Sequence, residues 1–124
     1  MRILLDTHLL LWALGAPSKL SAGARKQIQS AEIFVSAASI WEISIKAGLG
    51  KLSVDPATIV AAVSPAGFSF LPITAEHAAR IALLPPIHKD PFDRMLVAQA
   101  FVEPMILLTN DAALSSYGTF VQFA

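Results

Sequence analysis

At 124 residues the chain is long enough for one domain with a sizeable core. It is apolar, 55% hydrophobic and 15% charged, yet no apolar run approaches the roughly 18–20 residues of a membrane span, and the lack of cysteine excludes disulfides and thiolate metal sites. Nine basic against nine acidic residues leave no net charge, which excludes a protein that holds nucleic acid through a broad basic surface.

The predicted elements alternate in kind. Residues 2–5 read as a short strand; Met1-Arg2 runs straight into it and Asp6 breaks it, so no signal peptide is apparent and a cytoplasmic location is expected. Asp6 stands where it would cap a helix starting at Thr7. A helix follows over 21–30 with Ser21 as its cap, then a strand over 32–36. Over 37–47, Ile40, Ile43 and Ala47 share one helical stripe, which Gly48-Leu49-Gly50 closes. Asp55-Pro56 opens a short helix. Next come a strand over 68–71, a helix from Thr74 to Pro85-Pro86, and a helix over 93–103 that offers Met95, Leu96, Ala98 and Val102 to the core. Strands over 105–109 and 119–123 complete the series.

The strands are continuous apolar runs, the pattern of parallel strands covered on both faces. Strand–helix alternation over residues 1–124, with no linker, repeat or low-complexity segment, predicts a single α/β domain with right-handed crossovers and helices on both sheet faces. The apolar excess predicts a face buried against a partner or a second copy.

Against this background the acids are informative, because charged side chains are rarely buried unless paired or bound to a metal. Asp6 ends an apolar run and Asp111 follows another, both at the carboxyl ends of predicted strands, where open α/β sheets place their sites. Each also fits as a helix cap. Glu42, between Trp41 and Ile43, reads equally as a half-buried acid or as the i,i+4 partner of Lys46. Asp93 would cap its helix, with Asp90 before Pro91 an ordinary turn residue. If the strands are central neighbours, these carboxylates converge and repel one another unless something cationic holds them. Oxygen-only ligands suit Mg²⁺ or Mn²⁺ rather than zinc, and the chemistry such a site serves best is phosphodiester hydrolysis.

Four segments carry a resemblance: Met1-Arg2-Ile3-Leu4-Leu5-Asp6-Thr7-His8 with Leu10-Leu11-Trp12, Ser39-Ile40-Trp41-Glu42-Ile43, His88-Lys89-Asp90-Pro91-Phe92-Asp93-Arg94 running on to Ala100, and Leu107-Leu108-Thr109-Asn110-Asp111. In this order they resemble the acidic motifs of PIN-domain nucleases, in particular VapC-type toxins of type II toxin–antitoxin pairs, over essentially the whole chain. The resemblance implies a three-layer α/β/α domain with a mainly parallel sheet of about five strands. It implies a Mg²⁺- or Mn²⁺-dependent endoribonuclease, commonly a homodimer, neutralised by a cognate antitoxin. Residue by residue, Asp6, Glu42 and Asp93 match the family's metal-binding acids and Asp111 the fourth, with Asp90 an auxiliary acid or a turn former. The antitoxin is expected to cover part of the acidic cleft, with a basic side chain where a cation would sit.

Among the other polar residues, Thr7, Thr109 and Asn110 are expected to donate to the carboxylates. Arg94 would pair with Asp90 or hold a substrate phosphate. His88 could orient a water, although a two-metal site needs no histidine base, and His8 reads as a first-turn contact. Trp12 and Trp41 are expected in core or dimer packing. With Arg94, Lys46 and Lys89 the cations nearest the acids, RNA binding should have a shallow salt dependence, on the order of two to four phosphates neutralised. A receiver-like phosphoacceptor domain would need paired acids after the first strand and a late lysine, which are missing. A catalytically silent module that only binds a protein partner is the other reading; metal-dependent cleavage would separate the two.

Overall fold

Ile3, Leu4 and Leu5 set the centre of the molecule: all three are fully buried in the computed structural model, which describes residues 1–124. They belong to strand β1 (Arg2–Leu5), joined by β2 (Glu32–Ser36), β3 (Ser69–Leu71), β4 (Ile106–Thr109) and β5 (Val121–Phe123) in one parallel sheet of order β3-β2-β1-β4-β5. Successive side chains of a strand point to opposite faces. Ile3 and Leu5 therefore pack into one cluster with Leu9, Leu10, Val35 and Ile43, while Leu4 packs into another with Leu96, Val97 and Leu107. A sheet apolar on both faces must be covered on both.

Helices α1 (Thr7–Gly15), α2 (Ala22–Ser30), α3 (Ala37–Gly48) and α4 (Pro56–Val63) give Leu9, Ala24, Ile43 and Ile59 to the first cluster. On the other face α5 (Ala75–Arg80) packs on α6 (Pro91–Val102), which supplies Leu96, Val97 and Ala100. Tight 3₁₀ turns over Pro17–Lys19, Ile81–Leu83 and Ala112–Tyr117 complete the connections. The three-layer α/β/α arrangement with a five-stranded parallel sheet is the expected one.

Three details differ from the sequence reading. The helix after Thr74 stops at Arg80 and tightens into the 3₁₀ turn before Pro85. The last strand begins at Val121 rather than 119, because the Val121 amide turns back to the Gly118 carbonyl at 3.1 Å. The third concerns the site. Asp90, not Asp93, caps α6: one oxygen of Asp90 accepts the Phe92 and Asp93 amides at 2.8 and 3.2 Å. Proline is favoured at the first helical position and pushes the residue before it out of helical conformation, so Pro91 starts the helix and Asp90 becomes its cap. Asp93 then lies within the first turn with its carboxylate released from capping.

The strand order also locates the cleft. From β1 the chain moves outward through β2 to β3, then returns to the other side of β1 for β4 and β5. The direction reverses between β1 and β4, and the crevice outside the carboxyl ends of those two strands is where open α/β sheets bind ligands. Asp6 follows β1 there, and Asn110 and Asp111 follow β4. Trp12 is half-buried against the first cluster as expected. Trp41 is not in the core: it is 58% exposed and meets Phe92 edge-on, with ring centroids 5.1 Å apart.

Candidate metal centre

Asp6 is tied into the switch point from both sides. Its amide continues the sheet to the Leu108 carbonyl at 3.0 Å, and one carboxylate oxygen caps α1 by accepting the Leu9 amide at 2.8 Å. The other oxygen accepts the Thr109 hydroxyl at 2.6 Å and the Asn110 amide at 3.1 Å. The carboxylate is both a cap and a wall of the cleft. Burial raises its pKa, against the lowering effect of these three hydrogen bonds and of His8. Three donors leave a carboxylate one lone-pair direction for a further partner.

Glu42 is buried on α3, and both sequence readings of it hold. One oxygen accepts the Thr7 hydroxyl at 2.7 Å and the other the Lys46 ammonium at 2.6 Å. Thr7 and Ser39 hydroxyls lie 3.0 Å apart; a hydroxyl has one hydrogen, so Thr7 gives its own to Glu42 and accepts from Ser39. Thr109 works the same way, donating to Asp6 and accepting the Asp111 amide at 3.0 Å. The expected donor roles of Thr7, Thr109 and Asn110 are thus present as hydrogen bonds.

Asp93 accepts no hydrogen bond within the protein and keeps 22% of its side chain exposed. Its pKa is pushed up to about 7, first by burial, then by the negative charge of Asp90 and, more weakly, of Glu42 and Asp6, with His88 opposing. Asp111 caps the turn after β4 through the Ala113 amide, and its second oxygen lies 3.1 Å from His88 Nε2.

His88, which the sequence offers at most as a residue that orients a water, lies beside two of the acids. Its Nδ1 accepts the Asp90 amide at 3.1 Å, so Nε2 carries the proton and donates to Asp111, with an Asp93 oxygen at 3.7 Å. Ligand atoms of His88, Asp93 and Asp111 all lie within 4.8 Å of one another. The available signal was the His-x-Asp-Pro spacing, in which a capping turn folds the ring back over its own loop.

Arg94 departs from both roles considered for it. Its guanidinium donates to the carbonyls of Pro85, His88 and Ile81 and contacts the Tyr117 hydroxyl, at 3.1–3.4 Å. It makes no pair with Asp90 and does not line the acidic cleft, its two terminal nitrogens being turned to the 81–88 segment and Tyr117. Arg94 clamps the segment that carries His88 and Asp90.

Asp6, Glu42, Asp90, Asp93 and Asp111, five of the chain's nine acids, line a cleft of about 420 Å³. Lys46, whose pKa is raised chiefly by its hydrogen bond to Glu42, is the one lysine or arginine in the lining. The donor set fits a hard divalent cation: it is mostly carboxylate oxygen, Asp6 has a lone pair to spare, and Asp93 has no protein partner. Asp90→Asn should preserve the cap, since asparagine caps as well as aspartate, and should lower the pKa of Asp93 by removing the largest charge acting on it. Mn²⁺ titration is expected to find affinity within about tenfold of wild type for Asp90→Asn and none for Asp93→Asn. The opposite ranking would transfer the ligand role to Asp90.

Fold and site define an α/β domain whose parallel sheet carries an acidic cleft at its switch point. The sequence matches the PIN domain family model over residues 3–119, and the chain belongs to that family. The resemblance read from the four acidic segments is borne out at that level. No curated protein matches the sequence. Among solved structures, the fold is similar to one of VapBC2 from Rickettsia felis bound to a DNA fragment from their promoter, with TM-score 0.70 and 14% identity over 100% of this chain and 98% of that one. It is also similar to one of a toxin–antitoxin complex from Klebsiella pneumoniae, with TM-score 0.67 and 17% identity over 97% and 95% of the two chains.

Proposed function

We propose that this PIN domain is a metal-dependent endoribonuclease that hydrolyses RNA phosphodiester bonds as the toxin of a VapC-type toxin–antitoxin pair. The observation that carries the reading is the convergence of Asp6, Glu42, Asp93 and Asp111 on one cleft, with Asp93 left free of hydrogen bonds and its charge disfavoured by its neighbours. Asp6, Glu42, Asp93 and Asp111 would hold Mg²⁺ or Mn²⁺. When bound, the cation lowers the pKa of a water and neutralises charge on the phosphate.

The residues around the acids supply orientation. Thr7 holds one Glu42 oxygen and Thr109 one Asp6 oxygen, so each carboxylate presents a fixed face to the cleft. His88 stands with its Nε2 proton towards Asp111, able to donate to a group entering between Asp93 and Asp111. A strand that bends can offer a single phosphate to such a recess, whereas a duplex keeps its phosphates on a stiff rod.

The antitoxin partner rests on the likeness to the two toxin–antitoxin complexes. A homodimer is supported by an apolar groove of about 670 Å³ between α3, α4 and β3, where Trp41, Val60 and Phe70 are exposed. No helix is long and apolar enough to cross a membrane, and the proposed site of action is the cytoplasm, where RNA is available.

The test is cleavage of a stem-loop RNA, its isolated stem and a DNA copy in Mg²⁺ or Mn²⁺. Cutting confined to the loop of the RNA is expected. Preferential cutting of the stem, or equal cutting of DNA, would leave only a general nuclease; no cutting at all would favour a silent binding module.

A further inference from the structure

A cleft lined by five acids repels the phosphate it is proposed to receive, so the placement of the chain's few cations matters. Of the nine lysines and arginines only Lys46 lines the cleft, and three arginines are committed elsewhere. Arg2 donates to the carbonyls of Glu103 and Pro104 at 2.7 and 2.8 Å, near the amino end of β1. Arg80 lies over the Phe101 ring at 3.9 Å, and Arg94 is held by its four acceptors. Lys89, though between His88 and Asp90 in sequence, is exposed and does not line the cleft.

Lys46 alone is different. One turn along α3 from Glu42, it sets its ammonium 2.6 Å from the Glu42 carboxylate and keeps 36% of its side chain exposed. An ammonium has three donors, and Glu42 takes one, which leaves two for other partners on a residue that lines the cleft. The tether removes much of the freedom an exposed lysine would otherwise lose on binding.

We propose that Lys46 is the phosphate-binding residue of the cleft, donating to a nonbridging backbone oxygen of the RNA beside the carboxylates. This rests on the nuclease reading and adds the group that receives the substrate. Substrate charge is then met from two sides, by Lys46 at the end of α3 and by the cation that the acids would hold. The contact is to backbone, so it carries no sequence preference.

The competing role is a purely internal one, in which Lys46 only neutralises Glu42. Lys46→Met and Lys46→Arg in the full chain distinguish them. Lys46→Met is expected to raise KM for the stem-loop RNA about ten- to hundredfold at saturating Mn²⁺, and Lys46→Arg to recover most of that loss. RNA binding, measured without cleavage in an Asp93→Asn background, should lose about 0.7 from its slope of log affinity against log salt when Lys46→Met is added. Unchanged KM and slope would overturn the assignment. Mn²⁺ affinity that falls while the slope stays constant would also overturn it, because Lys46 would then act only through Glu42. If the wild-type protein cleaves no RNA, the nuclease reading fails, while the salt slope still reports whether Lys46 touches a phosphate.

Discussion

Asp93→Asn is expected to abolish RNA cleavage and, in the metal-free protein, to increase stability above neutral pH. The two effects share one cause. Asp93 sits where burial and the charges of Asp90, Glu42 and Asp6 disfavour its ionised form, so its pKa is pushed up to about 7. In the folded protein the proton is therefore kept to higher pH than in the unfolded chain, where an aspartate releases it near pH 4. Between these values the folded state binds more protons, and stability falls as pH rises. The contribution is fully present below about pH 4 and lost once pH has passed about 7. Asparagine removes the ionisation, which should be worth about 1–2 kcal/mol at pH 8 and little at pH 4, after allowance for the partial solvation of the group.

Urea unfolding of the wild type and Asp93→Asn across pH 4–8, without metal, measures the difference directly. Cleavage should meanwhile fall by more than about a hundredfold, beyond the range usual for residues that only support a ligand. A variant that is less stable at pH 8 would mean that the carboxylate makes a structural contact. Divalent cations should reverse the pH trend in the wild type, because binding needs the ionised carboxylate and releases its proton.

The second large effect is expected at Arg94. Its guanidinium joins three carbonyls of the 81–88 segment to the Tyr117 hydroxyl. Tyr117 in turn accepts the His88 amide at 3.0 Å. Hydrogen bonds from a charged donor are stronger than neutral ones, and removing the donor leaves the His88 carbonyl without a partner, while the Ile81 and Pro85 carbonyls keep only the Leu84 and Ile87 amides. Arg94→Met should cost about 2–4 kcal/mol of stability and, by freeing His88 and Asp90, weaken Mn²⁺ binding about ten- to hundredfold. Arg94→Lys should not restore either property, since one ammonium cannot reproduce the planar fork. Normal stability with a raised KM for RNA in Arg94→Lys would return this residue to a phosphate-binding role.

Much of this protein follows from short-range sequence signals. The apolar runs mark the strands because a strand covered on both faces has no polar position to keep. Ser21 caps its helix as read, and helices open at Asp55 and Thr74 as read, all three side chains accepting an amide two or three residues ahead. The acids could be singled out for the same local reason: Asp6 and Asp111 follow apolar strands and Glu42 interrupts an apolar helical run, places where charge is costly unless it has a use. Even the misplaced cap at Asp93 was a local matter, since the conformational limits on Pro91 were already visible in the sequence.

What tertiary structure alone decided depends on residues far apart in the chain. Asp6 meets Thr109, 103 positions away, because β4 returns to the side of β1 opposite β2. No periodicity specifies that order. His88 reaches Asp111 across 23 positions while Arg94 and Tyr117 hold its segment, and the same contacts keep Arg94 out of the cleft lining. Trp12 and Trp41 read alike as core or dimer packing, yet Trp12 is half-buried against the core and Trp41 is exposed. Local residue patterns restrict backbone dihedrals and burial within a turn or two. Carboxylate repulsion, shifted pKa values and the pairing of a lone cation fall off with distance in space, so the sheet order decided them and local sequence patterns did not.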